Sequence, residues 1–241
     1  MARSPGNIRR TGFDVGSHTA ADFDPGLRQY MLKVYNFMGG GLLVSGAAGY
    51  LAATTGFYEQ IAGTPLIWVV MFAPLVAVIF LSFRIDRMSL AAAQTTFWIY
   101  AVLMGLSLSG IFLVYTGASV TRTFFIAAAT FGAMSLYGYT TGRDLTRVGS
   151  FLFMGLIGII LASLINLFVG SSALEFAISL IGVVLFIGLT AYDTQRIKDI
   201  YVEGDWDEAS SKKALIGALT LYLDFINLFV MLLQFTGDRR D

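Results

Sequence analysis

Seven apolar runs divide the chain, at residues 31–53, 66–83, 93–115, 120–140, 148–169, 174–194 and 214–235. Each approaches the length that a helix needs, at about 1.5 Å per residue, to cross a bilayer core about 30 Å thick. None alternates apolar and polar residues at every second position, as a barrel strand must, so the pattern predicts helical spans throughout. The breaks fall at Gly56–Pro65, Arg84–Arg87, Thr116–Ser119, Thr141–Arg147 and Gly170–Ser172, and the longest is Arg196–Lys213. Residues 1–24 are polar and are read as a mobile tail, and residues 236–241 as a short C-terminal tail. Between them, residues 25–235 form the membrane domain. Asp24 followed by Pro25 has the chemistry of a helix N-cap with proline at the first helical position.

The last run breaks the apolar rule in a regular way. Steps of four and three from Lys213 meet Gly217, Thr220, Asp224, Asn227, Met231 and Gln234. These positions share one helical face, and all but Met231 are small or polar. A carboxylate at mid-bilayer costs several kcal/mol, so this face cannot look into lipid. The last span is therefore expected inside a bundle, its seam against protein or water. A seam that only fastens helices together is the plainer reading, but Ser or Thr would serve that purpose without a charge.

Composition agrees with the membrane setting. The chain has 241 residues, 56% hydrophobic and 13% charged, with mean hydropathy +0.71. No early apolar run stands alone beside a cleavage site, so no removable signal peptide is expected. It has no cysteine, which excludes disulfides, thiolate metal sites and cysteine nucleophiles. Its single histidine, His18, lies in the N-terminal tail, which argues against zinc chemistry and a Ser-His triad. A net charge of zero gives no sign of nucleic-acid binding.

Charge placement predicts orientation. With the N-terminus in the cytoplasm and seven spans, thirteen Lys and Arg residues fall inside and three, Arg122, Arg239 and Arg240, outside. Tight packing is expected where Gly41, Ser45 and Gly49 recur at steps of four. Pro74, within the second run, is expected to kink it.

Few ionisable groups lie within the runs. Asp193 stands 18 residues after Glu175, about 27 Å along a helix, near the inner boundary. Asp224 stands 11 residues after Lys213, about 16 Å, near the centre. Counting thus puts the two acids at different depths. Should they meet, two carboxylates in a poorly solvated site cannot both ionise without cost, and the pair shares a proton. Fully ionised, the pair offers hard oxygen ligands to a divalent cation such as calcium, with Thr220 and Asn227 adding neutral oxygens. The plainer reading of Asp193 is a boundary ion pair with Arg196. Arg84 and Arg87 read as anchors at the inner membrane surface; the sharper alternative turns one inward as a latch that neutralises a carboxylate.

Several stretches resemble the Bax inhibitor-one family, also called the transmembrane Bax-inhibitor-motif family. They are FIGLTAYDTQRIKDIY at 186–201, LYLDFINLFVMLLQF at 221–235, SLYGYTTGRDLTRVGSFLFMGLIG at 135–158 and MGLSLSGIFLVYT at 104–116. The resemblance spans about residues 25–235 and looks like that to a bacterial-type member of the inner membrane. It implies seven helices with the last central, and a pH-sensitive calcium leak whose sensing aspartates match Asp193 and Asp224. It also implies an arginine latch on the second helix, for which Arg84 is the nearest match. Some bacterial relatives regulate a membrane-bound ATP-dependent protease.

Three functions are therefore weighed. The first is a cation leak gated by Asp193 and Asp224, with bound calcium as its only implied cofactor. The second is a non-conducting partner of a membrane protease, docking through the Arg196–Lys213 loop with Trp206 as anchor. The third is an intramembrane aspartyl protease using the two acids as a dyad. Against the third, Asp224 sits in LYLDF rather than in a Gly-x-Gly-Asp setting, and the Pro-Ala-Leu stretch of those enzymes is missing. The expectation is a protein that is not an enzyme.

Overall fold

The computed structural model describes residues 24–204 and 207–240, which fold as helices joined by short connections, with no strand among them. The tail over residues 1–23, with His18, and the proposed anchor Trp206 lie outside the described residues. The helices are α1 (Pro25–Thr54), α2 (Phe57–Ala62), α3 (Leu66–Arg84), α4 (Leu90–Leu108), α5 (Ile111–Val114), α6 (Gly117–Thr140), α7 (Thr146–Val169), α8 (Ser172–Asp199) and α9 (Asp207–Thr236). A 3-10 turn, Ile85–Arg87, continues α3.

Local chemistry sets the boundaries. Asp24 caps α1 as its sequence predicts: Oδ1 accepts from the Gly26 and Leu27 amides at 2.8 and 3.2 Å, ahead of Pro25. Ser89, Thr116 and Ser171 cap α4, α6 and α8 in the same manner. Between α7 and α8 the chain turns within two residues, because Gly170 adopts φ +63°, a conformation glycine reaches without strain.

Two connections differ from expectation. The break foreseen over Arg196–Lys213 is largely helical, since α8 runs to Asp199 and α9 starts at Asp207. Arg196 and Lys198 in the last turn of α8, and Asp207 and Glu208 in the first turn of α9, match the helix dipoles and carry both helices past the apolar runs. Glu208 also pairs with Lys212 one turn on, at 3.0 Å. The third run, by contrast, is interrupted at Ser109 and Gly110. Tyr58 of α2 packs where Gly110 has no side chain, its hydroxyl 3.0 Å from the position a Cβ would take. Pro74 lies within α3 without ending it.

Six of these units are long and apolar enough to cross a membrane: residues 25–54, 66–87, 90–114, 146–169, 172–199 and 207–236. The protein is thus a multi-pass membrane protein. The seventh expected span, α6, has the length at 24 residues, but its Gly, Ser and Thr residues and Arg122 leave it less apolar than the other six.

The helices differ sharply in burial. In its apolar window α9 is 67% buried, against 39% for α8 and 11% for α7. It packs against α1, α4, α6 and α8, whereas α7 packs chiefly on α8 and α3 on α4. The core of large side chains, including Phe97, Tyr100, Leu215, Leu221, Tyr222 and Leu228, gathers around α9. Ridges of Leu, Ile and Phe on α3 and α7 face outward, as bilayer-facing helices require.

Small residues set the closest approach. Gly105 of α4 lies directly on the Ser45 carbonyl of α1, and Gly49 faces the Gly105 carbonyl, 2.8 Å from where a Cβ would sit. The stripe of Gly41, Ser45 and Gly49 thus packs α1 against α4 and α9. At the other end of α9, the C-terminal residues are fastened down rather than trailing free. Asp238 N–H donates to Ser119 Oγ at 2.9 Å, Thr116 N–H donates to the Asp238 carbonyl, and Arg240 N–H to the Val114 carbonyl. Arg239 pairs with Glu175 at 3.0 Å and Arg122 with Asp238 at 3.2 Å.

Gly105→Ala is expected to lower the thermal midpoint in detergent by several degrees, the scale of an overpacked contact costing about 1–3 kcal/mol. Gly46→Ala, one step away on α1 with open space around it, is expected to leave the midpoint unchanged or raise it. Equal midpoints for the two variants would refute the close α1–α4 contact.

Candidate functional site

The polar seam of α9 lies along α8, and the two helices run antiparallel in a fixed register. Lys213 Nζ donates to the Ile200 carbonyl at 3.3 Å. Gly217 receives the Ile197 side chain, 2.9 Å from where a Cβ would sit. Further along, Gly182 of α8 receives Met231, and Ser179 Oγ donates to Gln234 Oε1 at 3.2 Å. Glycine alternates between the helices, each taking a large side chain from the other.

Asp193 and Asp224 meet in the middle of this interface, interacting side chain to side chain. Counting from the sequence separated them because it measured depth from two unrelated starting points. The true register sets Lys213 against Ile200, so Asp193 is seven residues and Asp224 eleven from a common level. The difference is about one helical turn, roughly 6 Å, which two aspartate side chains can span. Asp224 is only 5% exposed, and its Oδ2 has no hydrogen-bond partner among the described residues. Asp193 is half-buried. The nearest cation acting on the pair is Arg196, one turn along α8 and exposed, yet no ion pair within 4 Å joins it to Asp193 among the described residues.

Arg84 and Arg87 stand elsewhere. Both are exposed at the end of α3 and in the turn after it, and neither acts on Asp193 or Asp224 in this conformation. Thr220 and Asn227 do lie on the seam beside Asp224. Thr220 Oγ1 donates to the Ile216 carbonyl at 3.1 Å and Asn227 Nδ2 to the Leu223 carbonyl at 2.8 Å. Thr220 spends its only proton on its own helix, Asn227 one of its two amide protons, and both keep an oxygen lone pair for a neighbour. These residues, with Asp224, line a crevice of about 480 Å³ whose other wall is α7, through Leu156, Ile159, Ile160, Ser163, Leu164 and Leu167. Ser163 is the only hydroxyl on that wall.

Three polar devices hold the surroundings in place, and the sequence reading missed them. Gln195, two residues past Asp193, is buried; Oε1 accepts from Leu145 N–H at 2.9 Å and Nε2 donates to the Arg143 carbonyl at 2.8 Å. It pins the loop between α6 and α7 to α8. Thr194 Oγ1 donates to the Thr190 carbonyl at 2.7 Å, so its contact with Ser135 at 2.9 Å must be as acceptor, and Tyr35 must in turn donate to Ser135. That chain of hydroxyls ties α1 and α6 to the residue next to Asp193. On the far side of α9, Ser45 Oγ donates to the Ala101 carbonyl at 2.6 Å and accepts from the Tyr222 hydroxyl at 2.6 Å, linking α1, α4 and α9. Such bonds join distant runs, and a single sequence carries no periodicity that would reveal them.

The donor set can be tested against a metal. Among the described residues no three acidic, histidine or cysteine side chains gather as a metal cluster. Two carboxylates with an amide and a hydroxyl oxygen fall short of the six to eight oxygens of a closed calcium cage.

Comparisons with known proteins bear on the whole membrane domain. A family model described as inhibitor of apoptosis-promoting Bax1 matches residues 27–241. Protein RP147 of Rickettsia prowazekii is 53% identical over 220 residues, covering 91% of this chain and 93% of its own. The inner membrane protein YbhL of Escherichia coli K12 is 48% identical over 219 residues, covering 89% and 94%.

Ser45→Ala is expected to destabilise the protein by about 1 kcal/mol, because it strands the buried Tyr222 hydroxyl. Tyr222→Phe leaves Ser45 bonded to Ala101 and should cost less in hydrogen bonding. In a double-mutant cycle read by thermal unfolding, the pair should then cost clearly less than the two single changes added together. Strict additivity would mean that the 2.6 Å contact contributes nothing.

Proposed function

The chain belongs to the family of inhibitors of apoptosis-promoting Bax1, and from that premise we propose that it is a pH-sensitive cation leak gated by Asp193 and Asp224, with calcium as the cargo. The arrangement is seven spans, α6 completing the set, with α9 at the centre and the N-terminus in the cytoplasm. The membrane is the bacterial inner membrane, as the name of the Escherichia coli relative says of that protein.

One observation carries the reading: two acids on consecutive helices face each other where almost everything else is apolar. A lone buried acid is neutralised by a proton. A facing pair has a second state, in which both acids are ionised and a cation stands between or beside them. Protons and cations then compete for one site, and the path answers to both. The seam supports a path in a second respect. Thr220 and Asn227 offer oxygens one turn either side of Asp224, within the same crevice. The residues here hold and release a proton and an ion and break no bond, so the role is not enzymatic.

The test is calcium flux into liposomes holding the purified full-length protein, read with an enclosed dye between about pH 6 and 8. The wild type is expected to show flux that changes across this range. Asp193→Asn and Asp224→Asn should each flatten the response, because an amide cannot exchange a proton. Raising calcium should move the midpoint of the wild-type response to lower pH, since the cation favours the ionised pair and more protons are needed to displace it. Unaltered flux and pH response in both Asn variants would rule the gate out.

A further inference from the structure

α1 and α6 do not pack tightly, and the space between them forms a groove of about 490 Å³. One wall is Arg28, Met31, Leu32 and Tyr35, a single face of α1; the other, on α6, includes Phe131, Ser135, Leu136 and Tyr139. Gly132 deepens it, since no side chain stands there. The Tyr35–Ser135 hydrogen bond, at 2.5 Å, joins the two helices. Leu32 and Leu136 at the mouth are 50% and 64% exposed, so the groove opens sideways toward the bilayer.

Its two ends differ in character. Arg28 lies in the first turn of α1, at the end of the helix whose dipole favours anions, and its side chain is exposed. Lys198 of α8 stands behind the groove wall at Tyr139: Nζ donates to the Tyr139 carbonyl at 3.0 Å and lies 5.8 Å over the Tyr139 ring. Asp24, one turn before Arg28, gives Oδ1 to the α1 cap, and Asp199, beside Lys198, is exposed at the end of α8. From Arg28 inward the groove runs seven residues to Tyr35, about 10 Å, with apolar walls. A cationic end at the membrane surface and an apolar trough leading into the core are complementary to one kind of molecule present at that depth.

We infer that this groove is a binding site for an anionic phospholipid, its phosphate on Arg28 and an acyl chain between α1 and α6. Lys198 adds a second positive charge behind the headgroup. A zwitterionic lipid fits the trough equally well but gains less from the cationic end, so the site selects by headgroup charge. The assignment is independent of the leak, because neither Asp193 nor Asp224 lines the groove.

The experiment places the full-length protein in bilayers of equal phosphatidylglycerol and phosphatidylethanolamine and counts the lipids retained on release by native mass spectrometry. The wild type should retain phosphatidylglycerol in preference. Arg28→Gln should lower that preference about fivefold, the effect of one basic residue near an anionic headgroup. Arg147→Gln, a similarly exposed arginine outside the groove, should not. Leu136→Trp, at the exposed mouth, should fill the trough and lower retention of both lipids. Equal retention of the two lipids by the wild type would overturn the site. So would an Arg28→Gln effect matched by Arg147→Gln, or full retention in Leu136→Trp.

Discussion

A carboxylate in the middle of a membrane helix has to be kept from lipid, and the fold can be read as the consequence of that one demand. Asp224 sits near the centre of α9 on a face of small and polar residues. Hydrocarbon cannot solvate it, and the cost of exposing it there is several kcal/mol. The helix that carries it must be enclosed, and α9 is accordingly the most buried of the spans. Its enclosure falls first to α8, which offers Ser179, Gly182 and Asp193 to the same seam. Helices without such a seam, α3 and α7, are left on the outside, where their leucines and phenylalanines meet lipid at no cost.

Membrane helices gain little from burying apolar surface against one another, because lipid tails are equally apolar. What holds this bundle is therefore close backbone approach and shared hydroxyls. Gly105 lets α1 and α4 touch; Gly138 lies directly on the Ala191 carbonyl and brings α6 onto α8. Around these contacts Ser45, Ser135, Thr190 and Thr194 each bond to a carbonyl of their own helix or a neighbour's, or to another hydroxyl. The hydroxyls do twofold duty. They satisfy themselves in a medium without water, and two of them, Ser135 and Thr194, tie α6 to the turn of α8 that carries Asp193.

Much of this was legible in the residues. The 4-3 spacing from Lys213 to Gln234 identified the seam and required it to be covered, and α8 covers it. The Asp24-Pro25 pair marked the start of α1 to the residue. Depth was less legible. Asp193 and Asp224 looked separated because helix ends were placed where apolar runs stop, whereas capping charge carries α8 and α9 well beyond those points. Only contacts such as Lys213 with Ile200 fix the offset between two helices, and a single sequence contains no record of register. The same limit hid Gln195: its polarity was plain, but its partners, Arg143 and Leu145, lie some fifty residues away. The arginines of the second span, Arg84 and Arg87, are exposed, as the reading of them as surface anchors expects; the inward latch finds no contact in this conformation.

The site's neighbours also differ in how firmly they are tied. α9 is locked on most sides, by Tyr222 through Ser45, by its packing on α4 and α6, and at its end by the clasp around Asp238. Among the described residues α7 has no comparable ties. It meets α8 through glycines, Gly149 under the Tyr192 ring, Gly155 against Leu185 and Gly188 against Leu152, and it forms the apolar wall of the crevice on Asp224. Contacts of side chains on glycine steps are dispersion contacts with few directional bonds, so sliding or tilting of α7 sacrifices less than any displacement of α9. A change in the charge of the pair alters the cost of a dry wall facing it: an apolar face is tolerable beside a shared proton and poor beside two ionised acids. The helix that faces Asp224 across the crevice is thus one that neither carries an aspartate of the pair nor bonds to one, and Gln195, two residues from Asp193, anchors the loop that leads into it.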